Sequence, residues 1–236
     1  MKSIIHERPG VYSSYDASAT IRGGRAIRTI GLAAKAAGGT AGVPVTLTSY
    51  EAGVSAFGED EKGSPGMSAM LRLLFQGGAS TVVAVAVSGE DYEGAFEVLK
   101  AAEHVQIIVC DSGELTVQQA LRTSLEAASA SRRERIAVVG MSGATPEELT
   151  GRAKELNSER MVLVGPDALD SGGAVLPGMF AAAAVASAIA VTRDPAIPLN
   201  GTGLGGLGGV SQQYGDNEID LLVQGGVTPL EAVGGV

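Results

Sequence analysis

Between positions 76 and 87 the chain reads Gln-Gly-Gly-Ala-Ser-Thr-Val-Val-Ala-Val-Ala-Val, a glycine pair followed by an uncharged run of β-branched residues and alanine. Such a run offers no face to water, so it predicts a strand covered on both sides. Runs of the same character recur at 105–109, 135–140 and 161–165, with helix-length segments bearing polar faces between them. Strand alternating with helix implies an α/β fold, a central and mainly parallel sheet flanked by helices. The run at 81–87 is read as its central strand.

The core must be built from small and aliphatic residues, because only 4% of the chain is aromatic while glycine reaches 34 residues. A net charge of −9 argues against nucleic acid as a partner, since phosphate neutralisation needs clustered Lys and Arg. The short mixed run Arg132-Arg133-Glu134-Arg135 reads as a solvated helix end. A single cysteine, Cys110, rules out an intrachain disulfide and fits a reducing compartment. It follows the strand at 105–109 and reads as a buried structural thiol. The first ten residues carry Lys2, His6, Glu7, Arg8 and Pro9 and no apolar stretch of a signal peptide. The most membrane-like segment, 176–191, is mostly alanine and shorter than the ~20 residues of a span, so a buried helix is expected and no membrane partner.

Residues 1–19 have no helical period, and the strand-like Val11-Tyr12-Ser13-Ser14-Tyr15 follows a Pro9-Gly10 breaker. Two readings stay open: a frayed terminus, or an arm ordered by adding itself to the sheet edge of another subunit. A first strand is expected at 25–33, a Gly/Ala-rich loop at 35–44 and a short helix at 50–57 capped by Thr48 or Ser49. An acidic exposed loop at 59–66 precedes a helix at 67–76 whose Met67, Met70, Leu71, Leu74 and Phe75 form one apolar face. Further helices are expected at 90–103, 116–131 and 146–157, the last opened by Thr145-Pro146-Glu147-Glu148. Beyond Pro166 come a helix at 177–191, a glycine-rich return segment at 199–210 and a helix at 216–224. The chain closes as a new apolar strand begins, which reads as a shortened polypeptide. The divisions expected are an arm at 1–22, an α/β domain at 23–168 and, at 169–236, the start of an incomplete C-terminal domain.

Chemistry is sparse. Gly201-Thr202-Gly203-Leu204-Gly205-Gly206 has the spacing of a dinucleotide loop, but a proline-bearing segment precedes it and more glycine follows, where a strand and a helix are required. His6 and His104 are dispersed, so no zinc site or Ser-His-Asp arrangement is expected, and no cofactor, metal or catalytic residue is assigned. Asp111 and Asp167 follow strands, where ligands of open α/β sheets bind and where acids also cap helices. They leave a rival reading open: an intracellular small-molecule or nucleotide-binding protein or enzyme using the carboxyl rim of the sheet. Another α/β partner-binding module is the second rival.

Several stretches together resemble the contractile tail sheath proteins of phages and related injection systems. They are Glu7-Arg8-Pro9-Gly10-Val11-Tyr12, the segment 27–37 leading through Val43-Pro44-Val45 to Thr48-Ser49-Tyr50, Phe57-Gly58, Leu74-Phe75-Gln76-Gly77-Gly78, 198–202 and 218–231. The resemblance implies a non-enzymatic subunit that stacks in rings around an inner tube protein, joins a baseplate, and sits in the virion tail after assembly in the bacterial cytoplasm. It further implies that an N-terminal arm and a C-terminal strand are lent to neighbouring copies. On that reading Val11, Tyr12 and Tyr15, with Leu230, Val233 and Val236, are the candidate intersubunit residues. The departure from the family is the C-terminal end, where sheath proteins continue.

Overall fold

The structure, a computed structural model, describes residues 28–61, 63–194 and 196–232. The elements run β1 (Thr29–Ala34), β2 (Pro44–Leu47), α1 (Tyr50–Phe57), α2 (Met67–Gln76), β3 (Val82–Ala86), α3 (Tyr92–Ala101), β4 (Val105–Cys110) and α4 (Leu115–Ala130). They continue with β5 (Ile136–Gly140), α5 (Pro146–Leu156), β6 (Met161–Gly165), β7 (Ala168–Leu169), β8 (Val175–Leu176), α6 (Gly178–Val191), β9 (Gly209–Val210), α7 (Asp216–Gln224) and β10 (Val227–Pro229).

Seven strands form the main sheet in the order β10-β6-β5-β4-β1-β3-β2, parallel throughout except that β2 runs antiparallel to β3. Alternate residues of each strand feed two separate cores, as the period of 2 requires. Ile30, Leu32, Val82, Ala84, Val138 and Val164 face α1, α2 and α6, whereas Ala33, Val85, Ala137, Val139 and Leu163 face α3, α4, α5 and α7. The α/β class expected from the sequence is therefore observed.

Three expectations need correction. The run at 81–87 gives β3, buried as expected, but it lies one place in from an edge, and β4 takes the middle. An uncharged run reports burial of both faces and carries no signal for lateral rank. Val43-Pro44-Val45, read as the end of a loop, opens into strand β2. Arg135 is not part of a solvated helix end: it is buried, and its guanidinium donates to the carbonyls of Leu99, at 2.7 Å, and Ala102. Arg133 reaches the Lys100 carbonyl at 3.1 Å. The carbonyls at the end of a helix lack partners in a following turn; Leu99 takes the Ala102 amide at 3.1 Å, and the two guanidinium groups add donors at this end of α3.

Helix boundaries follow local chemistry. Thr145 and Glu148 form a reciprocal capping box at the start of α5, with Pro146 in its first turn. The acidic loop before α2 is less free than its composition implies: Asp60 turns back to accept from the amides of Gly66, Ser68 and Ala69 at 2.9, 3.1 and 2.8 Å. That places a carboxylate on the positive end of α2. Alanine-rich α6 is the buried helix expected, with Ala181, Ala182, Ala183, Ala184 and Ala186 fully covered. Among the described residues no helix is long and apolar enough to cross a membrane.

Helix α6 begins where β5 ends, and the two backbones nearly touch. A Cβ on Gly140 would lie 2.1 Å from the Gly178 carbonyl oxygen, and one on Gly178 would lie 2.4 Å from that of Met141. Neither backbone can yield without moving the helix off the sheet. Gly140→Ala is therefore expected to destabilise the fold by on the order of 3 kcal/mol. By contrast Gly151, inside α5 with open space around its Cβ position, should gain about 0.5–1 kcal/mol on substitution by alanine. Urea unfolding of the two variants measures both; equal shifts would contradict the close contact.

Candidate functional site

In an open parallel sheet the ligand crevice lies outside the carboxyl ends of the strands, where the chain order reverses. Here β1 is followed outward by β3, and the chain then returns to β4 on the other side, so the reversal falls between β1 and β4. Lys35 follows β1 and Asp111 follows β4 at that point. There the rim groups bond one another. Asp111 Oδ2 accepts from the Lys35 amide at 2.8 Å and Oδ1 from the Tyr92 hydroxyl at 2.7 Å. The Lys35 carbonyl in turn accepts from the Met67 amide at 2.8 Å, so the end of β1 is fastened to the start of α2. Burial pushes the Asp111 carboxyl above its ordinary range, while the Lys35 amide and Tyr92 hydroxyl pull it back. Burial, followed by the Asp111 charge, pushes the Tyr92 phenol up as well, so it stays a donor.

Asp167 stands after β6, separated from the β4 end by β5, a distance of two strand spacings or roughly 10 Å. The two rim acids predicted from the sequence are thus not brought to one point. Asp167 is buried; its Oδ2 accepts from the Gly143 amide at 2.8 Å and its backbone carbonyl from Ser211 at 2.8 Å. Oδ1 lies 3.3 Å from the Cβ position of Gly178, at the positive end of α6. Tyr214 packs nearby, its phenol pushed up by burial first and then by Glu218, Asp167 and Glu147. Asp111 thus holds one backbone amide and one hydroxyl, whereas Asp167 holds a backbone amide through Oδ2 and its Oδ1 is buried without a hydrogen-bond partner among the described residues.

Cys110 is buried with Sγ 3.6 Å from the Ser112 carbonyl, and burial pushes its thiol up to about 12, which keeps it protonated and unreactive. His104 lies in the exposed turn before β4, and His6 lies outside the described residues. No group of three or more His, Cys, Asp or Glu able to hold a metal occurs among the described residues. Of the glycines at 201–206, Gly205 and Gly206 pack closely on α2. A Cβ on Gly205 would meet the Gln76 carbonyl oxygen at 2.4 Å, and β9 pairs with β7 directly beyond, so the segment is a strap packed on the end of α2. A recess of about 350 Å³ lies away from the rim, where Leu156, Asn157, Met161, Gln224 and Gly225 meet at the ends of α5 and α7.

Of the candidate intersubunit residues, Val11, Tyr12, Tyr15, Val233 and Val236 lie outside the described residues, as does the arm at 1–22. Leu230 is described, and it is 8% exposed with its amide donating to the Gly165 carbonyl at 2.7 Å. Within this chain it is a core residue, because β10 pairs with β6 and carries it inward. The sequence reading passed over Leu221 and Val223 on α7, which are 43% and 58% exposed. Their neighbour Leu222 is the buried one, and only the placement of α7 distinguishes the three.

These features define a mainly parallel α/β domain whose two rim acids bond groups of the chain itself. The chain belongs to the phage tail sheath protein family: the family's central domain matches residues 86–236. It is 30% identical over 164 residues to the tail sheath protein of Mycobacterium phage Bxz1, covering 62% of this chain and 28% of that protein. It is 33% identical over 132 residues to the tail sheath protein of Bacillus phage SP01, covering 54% and 23%. The chain thus matches about a quarter of the length of these relatives, 28% and 23%. Among solved structures, the sheath tail protein of Desulfitobacterium hafniense superimposes with a TM-score of 0.71 at 11% identity, over 95% of this chain and 72% of that one. The contracted helical sheath of the anti-feeding prophage gives 0.65 at 17% identity, over 98% and 66%. At these identities the structural likeness shows the shared fold.

The buried Asp111 provides a test of the closed crevice. With its folded-state pKa raised, the folded protein holds this proton more tightly than the unfolded chain, so the ionised carboxyl costs stability as pH rises from its ordinary range through the folded value. The Tyr92 hydroxyl offsets that cost. Tyr92→Phe should lose about 1.5–3 kcal/mol at neutral pH, the worth of a bond to a charged group, and less as acidification protonates Asp111. Urea unfolding at neutral and mildly acidic pH measures the difference; an equal loss at both would count against the ionised pair.

Proposed function

We propose that this chain is a structural subunit of a contractile phage-type tail sheath, which polymerises with copies of itself around an inner tube, meets a baseplate, and contracts to drive the tube forward. The match of the sheath family's central domain across residues 86–236 carries this reading. The contracted sheath of the anti-feeding prophage shares the fold, and a baseplate structure of that particle also superimposes, with a TM-score of 0.63. The closed rim supports a non-enzymatic role, because Asp111 and Asp167 hold backbone amides at the places where a substrate would need them. The location that follows is the virion tail, with assembly in the bacterial cytoplasm. The arm at 1–22, through Val11, Tyr12 and Tyr15, and the terminal Val233 and Val236 are proposed to join neighbouring copies; Leu230 would contribute by setting the position from which the last residues leave the sheet.

Negative-stain microscopy of the purified protein should show striated tubes. Deleting residues 1–19 should abolish them while leaving thermal unfolding of the α/β domain unchanged. Tubes that persist in the deletion would remove the arm from the polymer. A nucleotide or metal ion that raised the melting temperature would favour the rim-binding enzyme instead.

A further inference from the structure

The described chain begins at Arg28, so residues 1–27 join the domain at the start of β1. That strand lies inside the main sheet, with β3 on one side and β4 on the other, both parallel to it. Its first bonds come singly. Thr29 stands opposite Val105 and Ile30 opposite Ile107, so the pairing skips Gln106. The Gln106 side chain bridges the gap, its Oε1 accepting from the Thr29 amide at 2.8 Å. On the other side the Ile30 amide donates to the Thr81 carbonyl at 3.2 Å. A pull on residue 27 away from the sheet would meet these bonds in turn, and a strand opened from its end gives way one bond at a time.

Arg28 stands ahead of both. Its Nη1 donates to the Ile189 carbonyl at 2.9 Å and to that of Thr192, 161 and 164 residues away. These carbonyls close α6, whose last turn carries no basic residue. The negative end of a helix favours a cation, and its final carbonyls need donors from outside the helix; Arg28 meets both needs. Thr192 completes the end, giving its amide at 3.2 Å and its hydroxyl at 2.8 Å to the Ala188 carbonyl. Helix α6 lies across β4, β5 and β6, and its other end is set by the near-contact of Gly178 with the Met141 carbonyl. A force on Arg28 is thus passed to a helix seated on three strands, and the first rungs of β1 are spared it.

We propose that Arg28 is the anchor through which tension on the N-terminal segment enters the core, carried to the end of α6 so that β1 is not peeled from its start. The inference rests on the sheath reading for the source of that tension, since an arm joined to a neighbouring copy pulls on its own domain when subunits move.

An ATP-driven protease that unfolds its substrate from a tagged end supplies tension of known direction. The test uses the 236-residue chain with a recognition tag added before Met1 or after Val236, as the parent and as Arg28→Met, which keeps an aliphatic stem and removes the donors. From the N-terminal tag Arg28→Met should be degraded roughly tenfold faster, the rate change expected when a bond from a charged group no longer precedes unfolding. From the C-terminal tag its rate should match the parent's, which a general loss of stability would not allow. Arg28→Lys, which retains the charge and donors, should stay close to the parent from both ends. Equal acceleration of Arg28→Met from both ends, or none from the N-terminal tag, would overturn the proposal. Should Arg28→Met fail to fold, Arg28→Gln is read by the same outcomes. Tubes formed by the parent are scored separately by negative stain: their absence bears on the sheath reading, whereas the contrast between the two tags bears on Arg28.

Discussion

The near-contact of two backbones, at Gly140 and Gly178, governs how the rest of the molecule is arranged. It brings a helix of alanine and other small residues flat against β4, β5 and β6, where larger side chains would hold the layers apart. Each alanine buries little area, but close approach multiplies dispersion contacts, and an interior packed at that density tolerates few added atoms. Ser187 presses on Gly77 from the same helix, so α2 and the glycine strap behind it are located by α6 as well. A low aromatic content, which could signal a poor core, is here the condition for a thin one.

The same contact decides what the domain can do. An α/β sheet usually owes its chemistry to an accessible crevice at the carboxyl ends of its strands. In this chain the start of α6 and the β7-β8-β9 sheet occupy one side of the rim, and the Lys35–Asp111–Tyr92 bonds fasten the other. The surface meanwhile presents exposed apolar residues on α7, Leu221 and Val223.

Much of this was legible in the residues. Thr145-Pro146-Glu147-Glu148 announces α5 because capping is local chemistry, and the boundaries of α1, α2 and α7 fall where the sequence places them. The uncharged runs give β3, β4, β5 and β6, since burial of both faces leaves a compositional mark. Lateral order leaves none, which is why the run at 81–87 does not reveal that β3 lies one place in from an edge. Two-residue strands and a β2 that starts on proline carry too few residues for a period to show. The rim acids were found by position after strands, yet their partners, a distant amide and a hydroxyl 19 residues away, depend on tertiary placement. The burial of Arg135 is invisible in a charged run, because it depends on the end of α3 being brought against it.

The proposed role is that of a scaffold among copies of the same chain. A reconstruction of the assembled protein by electron microscopy, at a resolution that separates strands, tests it most directly. The result expected is the seven-strand order intact, nothing bound between the ends of β1 and β4, and neighbouring copies in contact with one another. A ligand seated in that crevice, or a protein that stays monomeric at every concentration, would contradict it.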